Sequence, residues 1–262
     1  KNKNNIAFEE ALLLELTKFN NKYFPSPEYK RKVANGIINE KKYAKEKEKK
    51  FLDVYEKLVR EYQIKTTQDK NETFLDKWFT EPVRKEIDFL AQEIKKIDEE
   101  DIRDVLTIIL SRTVRSCRAT THSDLATLKE PILTTYYCKK HGKICKPIFS
   151  ITKWWDFYTK DTLKRLKEFD KLRTDTFQIC LTGDSRKIDI HRELRQINPA
   201  FAEKMLGQKI RGIFSSPPYV GLIDYHEQHA YAYEIFGFER KDELEIGPLY
   251  KGQGEEQRKS YV

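Results

Sequence analysis

The sequence predicts a mixed α/β chain, in which a mostly helical N-terminal segment leads into part of an open parallel sheet. Three observations carry this expectation. Over the first hundred or so residues apolar side chains recur at three- and four-residue spacing, and β-branched alternation is scarce. From Thr176 the pattern changes to two short apolar runs, Phe177 to Leu181 and Ile210 to Phe214, each closing on polar residues as buried parallel strands do. With 39% hydrophobic and 35% charged residues among 262, the chain is long and apolar enough to bury a core and is no disordered polyelectrolyte.

The elements follow in order. Phe8, Leu12, Leu13, Leu16 and Phe19 mark one amphipathic helical face, which Pro25 and Pro27 close off. From about residue 28 to 65 lysine and glutamate dominate, with Val33, Phe51, Val54, Tyr55 and Leu58 as sparse apolar anchors, which predicts a long exposed helix or a helix pair. Thr80 and Pro82 have the order of a cap and first turn, and Val83, Ile87, Leu90, Ile94 and Ile97 then keep a core-facing stripe. Asp98 is the expected cap of another helix, with Ile102, Val105, Leu106, Ile109, Leu110 and Val114 inward, delivering Arg115 and Arg118 to its end. Periodicity then fades from 119 to about 153, where loop with short strands is expected, before a helix over about 161 to 172. The segments are therefore 1–117, helical; 118–172, basic and loop-rich with a helix; and 173–262, carrying the two strand-like runs. The sequence shows no internal repeat and no low-complexity linker.

No run approaches the roughly 18 uncharged apolar residues of a membrane span, and the lysine- and asparagine-rich start has no hydrophobic stretch with a cleavage site. A cytoplasmic location without a membrane partner is expected. Cys117, Cys138, Cys145 and Cys180 are then reduced thiols or metal ligands rather than a disulfide framework. The formal net charge is +8, and most of the excess lies between Ser111 and Pro147, where Arg112, Arg115, Arg118, Lys129, Lys139, Lys140, Lys143 and Lys146 face only Asp124 and Glu130. With Tyr136, Tyr137 and the hydroxyls of Thr120, Thr121 and Ser123 interleaved, this stretch is suited to gripping phosphates. The alternative is a solvated, lysine-rich surface.

The strongest motif is Ser216-Pro217-Pro218-Tyr219, directly after the strand-like Ile213-Phe214. The Ser216 hydroxyl and the Pro217 carbonyl are two acceptors, the paired prolines stiffen the turn, and Tyr219 offers a face for stacking a base. This tetrapeptide resembles that of the S-adenosylmethionine-dependent amino-methyltransferases of DNA, the modification methylases of restriction-modification systems. In that family Ser/Asp/Asn-Pro-Pro-Tyr follows the fourth strand of a Rossmann-like sheet and forms the catalytic pocket. Ser216, Pro217, Pro218 and Tyr219 match it residue for residue, and its serine form is more often associated with cytosine N4 than with adenine N6. The resemblance implies the chemistry as well. An exocyclic amine is a poor nucleophile, so acceptors that hold its hydrogens and localise its lone pair act in the transition state.

A second match to the family is Gly183-Asp184-Ser185-Arg186, where an acidic residue after the third strand commonly meets the cofactor adenine; Asp184 and Ser185 are the candidate cofactor contacts. Alone, Asp184 reads equally as the cap of a turn. Roughly thirty residues separate it from the tetrapeptide, the length of one crossover between neighbouring parallel strands. The family's glycine-rich cofactor loop has no counterpart, since Gly252-x-Gly254 follows no strand. Strands one and two, their acidic ribose contact and the later strands are not found either. With a start at Lys1 and an end at Tyr261-Val262, the expectation is a fragment, a proteolysed product, or one subunit of a split enzyme whose second chain supplies that loop. Further implied partners are double-stranded DNA, with Arg112, Arg115, Arg118, Lys139, Lys140 and Lys143 as contacts, and a cognate restriction endonuclease.

Cys138-x-x-His141-x-x-x-Cys145, with Cys117 as a distant fourth ligand or His122 in its place, has the donor set of a tetrahedral zinc site. Its irregular spacing, without a second Cys-x-x-Cys, favours a lysine-rich DNA-contacting loop instead. There is no Pro-Cys pair for covalent attack on cytosine C5. Tyr225, His226 and His229 follow the tetrapeptide and are candidate pocket residues; Tyr225, His229 and Tyr233 fall one helical turn apart. Helical aromatics and single histidines are as readily structural. Two rivals stay open: a methyltransferase of RNA or protein, whose pockets use Asn-Pro-Pro-Tyr, and a non-catalytic DNA-recognition subunit or remnant.

Overall fold

The computed structural model describes residues 3–122, 128–184, 187–208, 211–215, 223–245, 254, 255 and 259. Among the described residues it is helix-rich, with one small sheet, and the chain divides into two compact units: Lys1–Leu166 with Tyr225–Arg240, and Lys167–Asp224 with Lys241–Val262. The segment 225–240, contiguous in sequence with the strand-like runs, thus belongs to the first unit.

In that unit α1 (Lys3–Tyr23) buries Phe8, Leu12 and Leu16 against Phe51, Tyr55 and Leu58 of α3 (Glu40–Glu61), with Ile144 and Phe149 closing the cluster. The Phe8 and Phe149 rings meet edge to face at 4.9 Å, an arrangement that adds to plain area burial. Leu13, expected on the buried face, is exposed; it lies next to Leu12 but about 100° away around the helix. The charged stretch after Pro27 is a pair, α2 (Glu28–Ala34) and α3, and the amide oxygen of Asn39 caps α3 by accepting from Lys42 N at 3.0 Å.

A second core gathers Val83, Ile87 and Ile94 of α5 (Glu81–Lys95), Leu110, Val114 and Cys117 of α6 (Glu100–Cys117), and Leu75 and Trp78 of α4 (Phe74–Trp78). The sequence reading omits α4, although Thr73 and Asp76 form a reciprocal capping box there. Thr80 and Pro82 do open α5, but the Thr80 hydroxyl donates to Ile148 O at 2.8 Å instead of capping. The N-cap position of α6 is Glu99, one residue after Asp98, with no side-chain capping hydrogen bond, and Ile102 in its first turn is exposed.

The region after α6 contains one antiparallel hairpin, β1 (Tyr136–Cys138) with β2 (Lys143–Cys145), in the register Tyr137 to Ile144. Asn20 of α1 secures it, its Nδ2 donating to Ile144 O and its Oδ1 accepting from Ile144 N, each at 3.0 Å. α7 (Thr152–Leu172) starts more than two turns before the expected 161, because Trp154, Trp155, Phe157 and Tyr158 interrupt the apolar periodicity that marks a helix start. Two short helices, α10 (Tyr225–Gln228) and α11 (Ala230–Phe236), complete the unit. Tyr231 and Ile235 enter the second core, and the Glu234 carboxylate accepts from Phe74 N at 2.6 Å and Leu75 N at 3.0 Å, at the N-terminus of α4. Gly237 ends α11 at φ 73°, a left-handed backbone that favours glycine.

The second unit has α8 (Ile190–Ile197) and α9 (Pro199–Leu206), capped by Asp189 and Asn198, with Leu194 and Ala202 buried and the Phe177 ring tilted against that of Phe201 at 4.5 Å. The two parallel strands expected at 177–181 and 210–214 are not formed among the described residues. Ile213 is 89% and Phe214 100% exposed. A parallel strand receives its hydrogen bonds only from neighbouring strands, and the described residues of this unit provide none. No helix among the described residues is long and apolar enough to cross a membrane.

Candidate functional site

Ser216, Pro217, Pro218 and Tyr219, and likewise Ser185, lie outside the described residues. Asp184 is described, in a tight turn whose backbone carbonyl accepts from Lys187 N and Ile188 N, both at 2.9 Å. At Gly183 a Cβ would come within 3.0 Å of Ile188, so the turn is closed by that side chain. Among the described residues no strand leads into it.

The basic segment is better defined, and it separates the six arginines and lysines into two groups. Arg118 is only 4% exposed; its Nη1 donates to Gln228 Oε1 at 2.9 Å and Gln228 O at 3.2 Å, and its Nε to Arg115 O at 3.1 Å. Burial, and then the neighbouring Arg115, push its pKa down to about 10. Arg112 lies over the Tyr158 ring at 4.4 Å and pairs with Asp161 Oδ2 at 2.6 Å, holding the Asp161 carboxyl below the usual carboxylate range. These two arginines join α6 to α10 and α7, and their charge is used inside the fold. Arg115, Lys139, Lys140 and Lys143 are exposed, the first at the end of α6 and the lysines on the hairpin.

At the same hairpin a compact donor cluster forms. One nitrogen or sulfur each from His122, Cys138, His141 and Cys145 lie within 4.8 Å of one another. Cys138 Sγ is 3.5 Å from His122 Nδ1, and Cys145 Sγ 3.4 Å from His141 Nδ1. Both sulfurs are buried and both imidazoles exposed. The Tyr136 hydroxyl also meets His122 Nδ1, at 2.8 Å. Burial, followed by the proximity of Cys138, pushes the Cys145 thiol up to about 12. Burial, His141 and Lys140 lower the His122 imidazole. Cys117, the ligand offered by the sequence alongside Cys138, His141 and Cys145, is instead in the α5–α6 core. The signal that distinguishes it is its place in the stripe Leu110, Val114, Cys117, spaced for one helical face.

The chain is similar to a type II methyltransferase. It is 45% identical over 267 aligned positions to the Type II methyltransferase M.MjaII of Methanocaldococcus jannaschii, across 100% of this chain and 50% of that protein. The chain thus spans about half the length of the curated relative it matches. No protein-family model and no solved structure matches it.

Tyr225, His226 and His229 sit at the junction of α10 and α11. His226 Nδ1 pairs with the Tyr233 hydroxyl, and His229 Nδ1 donates to Tyr225 O at 3.0 Å. Burial lowers the His229 pKa, as do the charges of Arg115, Arg118 and His226 against the opposing effect of the Tyr225 carbonyl. The helix breaks at His229, so the continuous face expected for Tyr225, His229 and Tyr233 is interrupted.

Proposed function

We propose that this chain is part of a DNA methyltransferase that modifies the exocyclic amino group of a base, cytosine N4 in preference to adenine N6, within a restriction-modification system. The observation that carries the reading is whole-chain similarity to a protein named a type II methyltransferase, in a sequence that contains Ser216-Pro217-Pro218-Tyr219. S-adenosylmethionine is the methyl donor that this chemistry calls for. The Ser216 hydroxyl and the Pro217 carbonyl accept the two amino hydrogens, directing the nitrogen lone pair out of the ring plane, and Tyr219 stacks on the extruded base. Ser216 and the Pro217 carbonyl bind more strongly as positive charge develops on nitrogen, which is where a pocket of acceptors lowers the barrier. Arg115, Lys139, Lys140 and Lys143 meet the duplex phosphates, and their exposure supports that role.

The cofactor cradle is a separate matter. Asp184 and Ser185 remain its candidates within this chain, while the Rossmann-like sheet requires flanking strands and a glycine-rich loop, which the proposal assigns to polypeptide outside residues 1–262. Exposed Ile213 and Phe214, separated from the tetrapeptide by Ser215 alone, support this assignment, because an apolar run of that kind is buried only when strands flank it. The same observation favours, as the second reading, a DNA-recognition subunit without its own catalysis. Incubation with duplex DNA and methyl-labelled S-adenosylmethionine, with and without the product of a neighbouring reading frame, tests both. N4-methylcytosine or N6-methyladenine supports the enzyme. Duplex binding without label in either condition supports the recognition subunit.

A further inference from the structure

We propose that His122, Cys138, His141 and Cys145 form a structural zinc site that fixes the β1–β2 hairpin to the chain leaving α6. The inference stands independently of methyl transfer. In a tetrahedral site with Zn–S about 2.3 Å and Zn–N about 2.0 Å, adjacent sulfur and nitrogen ligands are about 3.5 Å apart. The two Cys–His contacts already have that spacing, 3.5 Å for Cys138 with His122 and 3.4 Å for Cys145 with His141. All four donors fall within 4.8 Å, so a tetrahedron closes by small side-chain rotations.

Backbone geometry explains why the hairpin presents three of the four. After Cys138 the chain reverses with His141 N and Gly142 N both donating to Cys138 O, at 3.2 and 2.7 Å, and Gly142 takes φ 62°. A residue with a side chain is strained at that φ, so glycine permits the turn that brings His141 back beside Cys145. Each strand is only three residues long, and isolated two-strand ribbons are marginal in water. A metal cross-link between β1, the turn and β2 supplies what the ladder lacks, and it draws in His122, sixteen residues before Cys138.

The donor set selects the ion. Two thiolates and two imidazoles in a tetrahedron suit Zn2+ rather than a hard, oxygen-seeking cation. On binding, Cys138 and Cys145 each release one thiol proton to solvent, and Zn2+ with two thiolates carries no net charge. The site therefore adds nothing to the positive charge of Lys139, Lys140 and Lys143 on the same turn. The Tyr136 hydroxyl lies 2.8 Å from His122 Nδ1, the nitrogen that also faces Cys138 Sγ, so metal ligation through that nitrogen displaces the Tyr136 hydrogen bond.

The test uses the full chain, purified under reducing conditions with zinc and then desalted. Elemental analysis is expected to give one zinc per chain. Titration of the metal-stripped chain with Co2+ is expected to give the intense visible bands of tetrahedral coordination together with thiolate charge transfer. Cys138→Ser and His122→Asn lose the metal, while Cys117→Ala, which trims a core residue, keeps it. A chain with reduced thiols that holds no zinc and gives no tetrahedral cobalt spectrum overturns the site. So does metal retained by His122→Asn and lost by Cys117→Ala, or a Cys138–Cys145 disulfide persisting in the zinc-supplied protein. The cobalt spectrum of the unsubstituted chain decides the matter even if a variant fails to fold.

Discussion

Replacing Asn20 by leucine removes a clamp between the helical scaffold and the hairpin while keeping the branched heavy-atom skeleton. In a two-strand ribbon, alternate residues turn their N–H and C=O away from the partner strand. At Ile144 both groups face α1, and the Asn20 amide stands where a third strand would, with two 3.0 Å hydrogen bonds. Asn20 is 8% exposed, so water does not readily replace it. Losing two hydrogen bonds and stranding a buried N–H and C=O costs about 2–4 kcal/mol in total. Urea unfolding of Asn20→Leu and of the unsubstituted protein measures that loss, and amide hydrogen exchange locates it. The Ile144 amide should lose protection more than amides in the α5–α6 core. A change below about 0.5 kcal/mol, the range of ordinary surface substitutions, with Ile144 protected as before, would refute the clamp.

Arg118→Met keeps the aliphatic stem but abandons both Gln228 oxygens, so it should destabilise by about 2–4 kcal/mol in denaturant unfolding, whereas exposed Arg115→Met should change stability by less than about 0.5 kcal/mol. Because folding lowers the His229 pKa, the native state refuses a proton that the unfolded chain accepts. Stability carried by neutral His229 is therefore present above the unfolded imidazole pKa of about 6.5 and is lost as pH falls below it, down to the folded pKa. Urea midpoints should show a smaller fall between pH 7.5 and 5.5 in His229→Gln than in the unsubstituted protein; an equal fall would assign the dependence elsewhere. Alanine at Lys139, Lys140 and Lys143 together should flatten the salt dependence of duplex binding by about 2–3 in log–log slope, near 0.9 per phosphate contact, as measured by fluorescence anisotropy, and an unchanged slope would remove the hairpin from the interface.

Local rules made the helical half readable. Thr80 and Pro82 mark the start of α5, and the stripes through Phe8, Leu12, Leu16 and through Leu110, Val114 identify buried faces, because burial on a helix repeats at a fixed angle. What escaped was decided by tertiary partners. The same stripe that buries Val114 also buries Cys117, so of the two fourth ligands that the sequence offers Cys117 goes to the core and His122 joins the cluster, through the path of the chain after α6. Arg118 looked like a phosphate contact from its charge, yet Gln228, more than a hundred residues away, accepts its guanidinium hydrogen bonds inside the fold. Helix α4 is too short to show periodicity, and only its Thr73–Asp76 capping box announces it. The apolar runs at 177–181 and 210–214 have strand composition, but strand pairing is a property of neighbours that composition does not contain.

Mass spectrometry of nucleosides from duplex DNA incubated with this chain, its candidate partner chain and methyl-labelled S-adenosylmethionine tests amino methylation most directly. Labelled N4-methylcytosine is expected ahead of N6-methyladenine, with label lost in Ser216→Ala and Tyr219→Ala. Label at cytosine C5, or label in DNA undiminished by both substitutions, would refute methylation of an exocyclic amine by this pocket.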